Sequence, residues 1–281
     1  MLDLLHYQFF TNALLAAVLA SISCGIIGTY IVSRRIVFIS GGISHASFGG
    51  VGIGYYLGIS PILGAAVFSV LSGLAIETLS RKVDLRKDSL IGMMWSFGMA
   101  VGIIFVFITP GYAANLMTYL FGNILTVSSF DLLLMAGLTL VVSLLFFLLF
   151  KEILFVSFDE EFARTQGVPT SMLNYILIAL VALTIVINIR VVGIILVISL
   201  LTIPVVTANL LTKSFKNMIF YAVGFGFLSS IGGLFISYFF NIPSGATIIF
   251  ASIAIFALLK LCLIIIEKIK LKTSLQNGLD G

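Results

Sequence analysis

The sequence predicts an all-α polytopic membrane protein with about nine transmembrane helices, eight being the alternative count. Three observations carry that prediction. Of 281 residues, 60% are hydrophobic and only 9% are charged, whereas soluble chains carry roughly 25% charged residues. The apolar residues run for about twenty positions at a time, the length a spanning helix needs, without the alternation of a barrel strand. The basic residues fall on one side of those runs. The same numbers, with a mean hydropathy of +1.24, exclude a soluble enzyme and a disordered chain.

Nine spans follow in order, at about 11–32, 43–58, 61–80, 89–109, 131–150, 171–189, 192–211, 217–240 and 245–266. The opening residues MLDLLHYQFF contain no Lys or Arg, so the charged start of a secretory signal is missing. The run that follows ends at Arg34-Arg35 without a small-residue cleavage site, and it reads as a retained first span. The second span is short and glycine-rich, which leaves the count open between nine and eight. The stretch 110–130, with Pro110, Gly111, Tyr112, Asn115 and Tyr119, reads as short interfacial helices with Tyr at headgroup level. Pro204 kinks the seventh span or frees a carbonyl there. Asn241, Pro243, Ser244 and Gly245 form a turn into the last span.

Charge orients these spans. With the N-terminus outside, 14 of the 15 basic residues lie on the inner side and only Arg190 lies outside. The positive-inside rule therefore gives N-out, C-in. It also accounts for the net charge of +4 and the pI of about 9.1 without a nucleic-acid partner. Cys24 and Cys262 both sit in apolar stretches and form no CxxC pair, so they leave the redox compartment and their disulfide state open.

The most unusual stretch is Ser40–Gly58, SGGISHASFGGVGIGYYLG. Gly42, Ala46, Gly50, Gly54 and Gly58 recur every four residues and make a ridge without side chains, which admits a close neighbouring backbone. Plain helix packing and packing beside a translocation path both fit, and they are compatible. His45 lies next to the ridge. An imidazole in a membrane needs a polar partner or a wet cavity, so it is either a metal-handling group or a hydrogen bond to a neighbouring helix. Glu77, four residues before Arg81, reads as an interfacial ion pair. Cys24 reads as a small buried apolar residue rather than a ligand.

The inner loop reads SFDEEFARTQGVPTS over 157–171. Asp159, Glu160 and Glu161 open a short helix, where acidic groups meet the partial positive charge of its N-terminus. Phe158 and Phe162 share a face by spacing, and Gly167 with Pro169 stops the helix. Phe162, a bulky apolar side chain on this loop, invites a protein partner. No GxxxxGK[ST] occurs, so the chain carries no P-loop. The absence of HExxH and of a supported Ser/His pair disfavours an intramembrane enzyme.

Taken together these segments resemble the ABC-3 family of bacterial metal-ion ABC permeases. Six blocks match in order over nearly the whole chain: Arg34-Arg35 with Ser44-His45-Ala46 and Gly49-Gly50; Asp88, Gly92, Ser96, Gly98 and Ala100; Leu120-Phe121-Gly122; Phe158-Asp159, Glu161, Ala163 and Gly167; Val192-Gly193, Leu196-Val197, Leu200-Leu201 and Pro204; and Pro243-Ser244-Gly245-Ala246.

The resemblance implies a single permease domain over 1–281 in a bacterial inner membrane. Such a permease forms half of a homodimeric pore, among membrane lipid. It binds no cofactor of its own and passes a divalent metal ion, zinc foremost, with manganese or iron as alternatives. It further implies a cytoplasmic ATPase subunit that hydrolyses ATP and docks on the 157–168 coupling helix, and an extracytoplasmic metal-binding protein that delivers the ion. By the same resemblance His45 lies on the metal path. The family's usual Asp four residues before it, which would place carboxylate and imidazole on one helical face, is Gly41 here. The second ligand is therefore open. The alternative function is the permease of another ABC system, a siderophore or vitamin importer or an exporter.

Overall fold

The computed structural model describes residues 7–83, 85–110, 122 and 124–277. The α-helices among them are α1 (Gln8–Ser33), α2 (Phe38–Leu57), α3 (Pro61–Lys82), α4 (Lys87–Ile108), α5 (Ser129–Leu148), α6 (Phe150–Phe158), α7 (Glu160–Thr165), α8 (Thr170–Val192), α9 (Ile194–Leu211), α10 (Phe215–Phe240) and α11 (Ser244–Asn277); all but the short charged α7 are predominantly apolar. Among the described residues, eight helices are long and apolar enough to cross a membrane: α1, α3, α4, α5, α8, α9, α10 and the Ser244–Lys270 part of α11.

The ninth crossing is α2. It has 20 residues, but six glycines, three serines and His45 dilute its apolar character. It is not short, as its sequence suggested, because its serines satisfy themselves locally. Ser40, Ser44 and Ser47 donate to the carbonyls of Val37, Ser40 and Ser44 at 2.7, 2.6 and 2.5 Å, and a helix with its backbone bonds intact is a viable way across. Connectivity requires the crossing. Arg34, just past α1, and Arg81, at the end of α3, both reach Glu160, so α1 and α3 finish at the same end of the bundle and α2 must return the chain between them.

Helices α1, α8 and α9 form the centre, with much of each buried. Along α1, Ala13, Ala16, Ala17 and Ala20 are buried, and small residues let helices approach closely in an apolar medium. Helices α2, α3 and α4 pack as one layer that leans on α8, while α10 and α11 flank α1 and α9 on the other side. Pro204 lies inside α9. Asn241 caps α10 in the left-handed region at φ 53°, the turn expected there. Cys24 is buried, Cys262 is exposed, and neither is in a disulfide. The interfacial helices expected over 110–130 fall largely outside the described residues; the described part contains a 3-10 turn at Ile124–Thr126.

Candidate functional site

Two features carry chemistry: the α2 face around His45, and a charged cluster at the end of the bundle where α1 and α3 finish.

The glycine ridge is used mainly inside the chain. A Cβ at Gly42 would meet the Ile91 side chain of α4, and one at Gly50 would meet the Gly64 carbonyl of α3. A Cβ at Gly98 of α4 would lie 2.5 Å from the Ala46 Cα, and one at Gly54 would lie 2.8 Å from the Pro61 Cα. These four ridge positions therefore clamp α2 between α3 and α4. Gly58 is a different case. It closes α2 in the left-handed region at φ 66° with open space around its Cα, so it is a helix cap and not part of the packed ridge.

This clamp presents His45 to α4. Its ring stacks on Trp95, with centroids 4.2 Å apart and planes within 5°. Its Nδ1 is buried and has no hydrogen-bond partner. The imidazole is thus held by an aromatic face, and that nitrogen is not spent on a neighbouring helix. Position 41 shares this neighbourhood. A Cβ at Gly41 would sit 3.6 Å from Trp95 and 4.0 Å from Ile198, which is ordinary contact. Among the described residues no group of three or more His, Cys, Asp or Glu side chains is placed to hold a metal.

At the charged end, the loop after α6 breaks at Asp159 (φ −148°), whose carboxylate accepts from the Phe162 N–H at 2.9 Å and caps α7. The single helix expected over 157–168 is therefore two. Phe158 ends α6 and packs edge-on to Phe215, while Phe162 lies in α7 edge-on to Phe155. The backbone turn at Asp159 separates the two rings that helical spacing put on one face. Both remain exposed, Ala163 is fully buried, and Gly167 closes the segment at φ 77°.

Glu160 holds α7 to the bundle. Its carboxylate meets Arg81 at 3.0 Å, Arg164 at 3.0 Å and Arg34 at 3.5 Å, and it accepts from Asn174 at 3.1 Å. Burial alone would raise this carboxyl, but Arg81, Arg164 and Arg34 hold it below its ordinary value. Arg81 also bonds Glu77 at 2.8 Å, and Glu77 holds Lys87 at 3.0 Å. Glu77 is the ion pair its spacing predicted, now with a second cation. At the opposite end Arg190 pairs with Asp131 at 2.6 Å. There, a Cβ on Gly122 (φ 59°) would run into the backbone at Val192 and Gly193. Two of the sequence blocks thus touch; Leu120 and Phe121, beside Gly122, lie outside the described residues.

Comparison with known proteins agrees with this architecture. The ABC 3 transport family matches residues 6–263. The chain belongs to that family. Among curated relatives, it is 47% identical to an uncharacterized membrane protein of Synechocystis sp. over 90% of this chain and 91% of that one. It is 37% identical to the manganese transport system membrane protein MntC of Halalkalibacterium halodurans, covering 91% and 88%. It is 34% identical to the manganese import system permease protein ScaB of Streptococcus gordonii, covering 89% and 90%. Among solved structures it is similar to PsaBC from Streptococcus pneumoniae in complex with Fab, with a TM-score of 0.81, 34% identity and coverage of 92% and 93%. This ABC 3 chain is accordingly a multi-pass membrane protein with a transport-family fold.

Residue spacing places His45 on its helix and Phe162 and Ala163 on a loop helix, but it puts Asp159 inside that helix where the structure has a break, and it marks neither Trp95 nor Glu160. Trp95 is the only tryptophan, yet nothing in its own span marks it as the partner of His45. Glu160 was read as one of three acidic helix-start residues; only the tertiary structure brings Arg34 and Arg81 to it from 126 and 79 residues away.

Proposed function

We propose that this chain is the membrane-spanning permease subunit of an ATP-driven importer of divalent metal, with manganese as the cargo. The observation that carries the reading is the near full-length similarity to a manganese transport system membrane protein and a manganese import permease. Zinc, the ion the sequence put first, has no comparable support among these relatives. Two copies form the pore, and each contributes one His45–Trp95 face. A neutral imidazole is a tolerable manganese ligand and a better zinc ligand. A single imidazole per chain holds an ion loosely, and weak binding favours release on the far side.

The orientation is N-out and C-in, in a bacterial inner membrane. This puts α7 in the cytoplasm, where exposed Phe162 docks into a pocket of the partner ATPase, and the chain hydrolyses nothing itself. An extracytoplasmic binding protein hands the ion to the Arg190–Asp131 end. The test is transport by the permease–ATPase complex in proteoliposomes loaded with ATP, with manganese, zinc and iron in competition. Uptake of manganese that equimolar zinc does not suppress is the expected result. Preferential zinc uptake would assign the other cargo, and no uptake of any metal would defeat the metal reading.

A further inference from the structure

Helix α7 has six residues and buries one side chain, Ala163. A helix that short does not sustain itself, so its position depends on attachments. Arg164 donates to Thr170 at 3.0 Å at the start of α8, and Phe162 touches Phe155. The ion pairs that tie α7 to the ends of α1 and α3 converge on one carboxylate, that of Glu160. Beyond it the chain of contacts continues. Arg81 lies between two carboxylates, Glu160 at 3.0 Å and Glu77 at 2.8 Å. Glu77 is nearly fully buried and holds Lys87, the first residue of α4. Trp95, the residue stacked on His45, lies eight residues further along the same helix, about 12 Å at the helical rise.

We propose that Glu160 is the positioning residue that converts a displacement of α7 into movement of α1, α3 and α4 around His45. The inference rests on the reading of α7 as the ATPase-docking helix. The physical element is the Arg81 guanidinium. While α7 is seated, Arg81 bridges both carboxylates. When α7 is drawn away, Arg81 stays with the buried Glu77, and Arg34 loses its carboxylate. These are two discrete arrangements of one ion-pair network, the kind of bistable element through which coupling between sites is carried. Exposed pairs are worth little singly. Here three guanidiniums share one carboxylate, so removing that charge affects three elements together.

The test uses the full permease–ATPase complex in proteoliposomes and measures manganese taken up per ATP hydrolysed. Glu160→Gln keeps the side chain's volume and its bond from Asn174 but removes the charge. The expected result is normal ATPase association and hydrolysis with about a tenfold lower ratio, an ordinary size for coupling between two sites. Glu160→Asp, with the charge but a shorter reach, recovers part of the ratio. An unchanged ratio in Glu160→Gln overturns the inference, including the case in which uptake and hydrolysis fall in parallel, because a merely structural role lowers both. Lys87→Gln leaves every Glu160 contact in place and breaks the far end. It is expected to lower the ratio less than Glu160→Gln, and an unchanged ratio there overturns the inference even if Glu160→Gln fails to fold. Phe162→Ala separates the two readings: full ATPase association and transport in that variant would remove the docking role of α7 itself, whatever Glu160 does.

Discussion

His45 stands between a structural and a transport role, and its surroundings separate the two experimentally. The ring is stacked on Trp95 and its buried Nδ1 is unpartnered. A histidine kept for hydrogen bonding would use that nitrogen, since buried polar atoms are nearly always paired. His45→Gln is therefore expected to insert, to bind its ATPase and to lose most metal uptake; uptake at the wild-type rate would return His45 to a packing role. Gly41→Asp is the companion change. The Cβ fits beside Trp95 at 3.6 Å, and an i,i+4 pair shares a helix face, so the carboxylate and imidazole can act on one ion. A shift in preference among manganese, zinc and iron, read in the competition assay, is expected; an unchanged preference would mean position 41 does not face the ion. The histidine and the missing carboxylate were legible in the sequence because both depend on spacing within one helix. Trp95 was not, because stacking joins two helices.

The glycine pattern of α2 announced a closely packed helix, and the structure supplies the partners, α3 and α4. Pattern alone cannot choose a partner, since any neighbouring backbone suits a bare ridge, and it counted Gly58 into a ridge that this glycine ends. The loop helix shows a similar limit. Helical spacing put Phe158 and Phe162 on one face, but the Asp159 cap turns the backbone between them. Phe162 remains exposed at 46%. Phe162→Ala is expected to weaken ATPase association by about 2 kcal/mol, the scale of an aromatic interface anchor, measured by co-purification and titration of the ATPase. The Glu160 clamp sets the pH response of this element. Its carboxyl is held below its ordinary value, so the stabilisation is complete above that ordinary value and is lost only as pH falls through the depressed one. Manganese taken up per ATP hydrolysed is expected to be flat from about pH 8 to pH 5 on account of Glu160. A loss between about pH 7 and pH 6 would assign control to a group titrating there, such as a histidine.

Across the whole molecule, ion pairs sort the helix ends into two sets. Arg34, Arg81, Lys87, Glu160 and Asn174 meet at one end, and Arg190 and Asp131 meet at the other. This division matches an alternation of nine crossings. With Cys24 and Cys262 replaced by alanine, single cysteines at Lys82 and Lys213 are expected to react with impermeant reagents only from the cytoplasm, and one at Ile242 only from outside. Labelling of Ile242→Cys from the cytoplasm would reverse the orientation. Composition and the unbroken apolar runs together determined that the chain is helical and membrane-spanning, because lipid admits only helices and closed barrels and barrel strands alternate apolar with polar residues. Local spacing determined the approximate span positions and the His45 register, since each depends on residues within a turn or two. The tertiary structure alone decided that α2 crosses, that His45 lies on Trp95, and that Glu160 ties α7 to α1 and α3. Those contacts join residues 50, 79 and 126 positions apart, and over such separations only the folded arrangement of the helices brings side chains together.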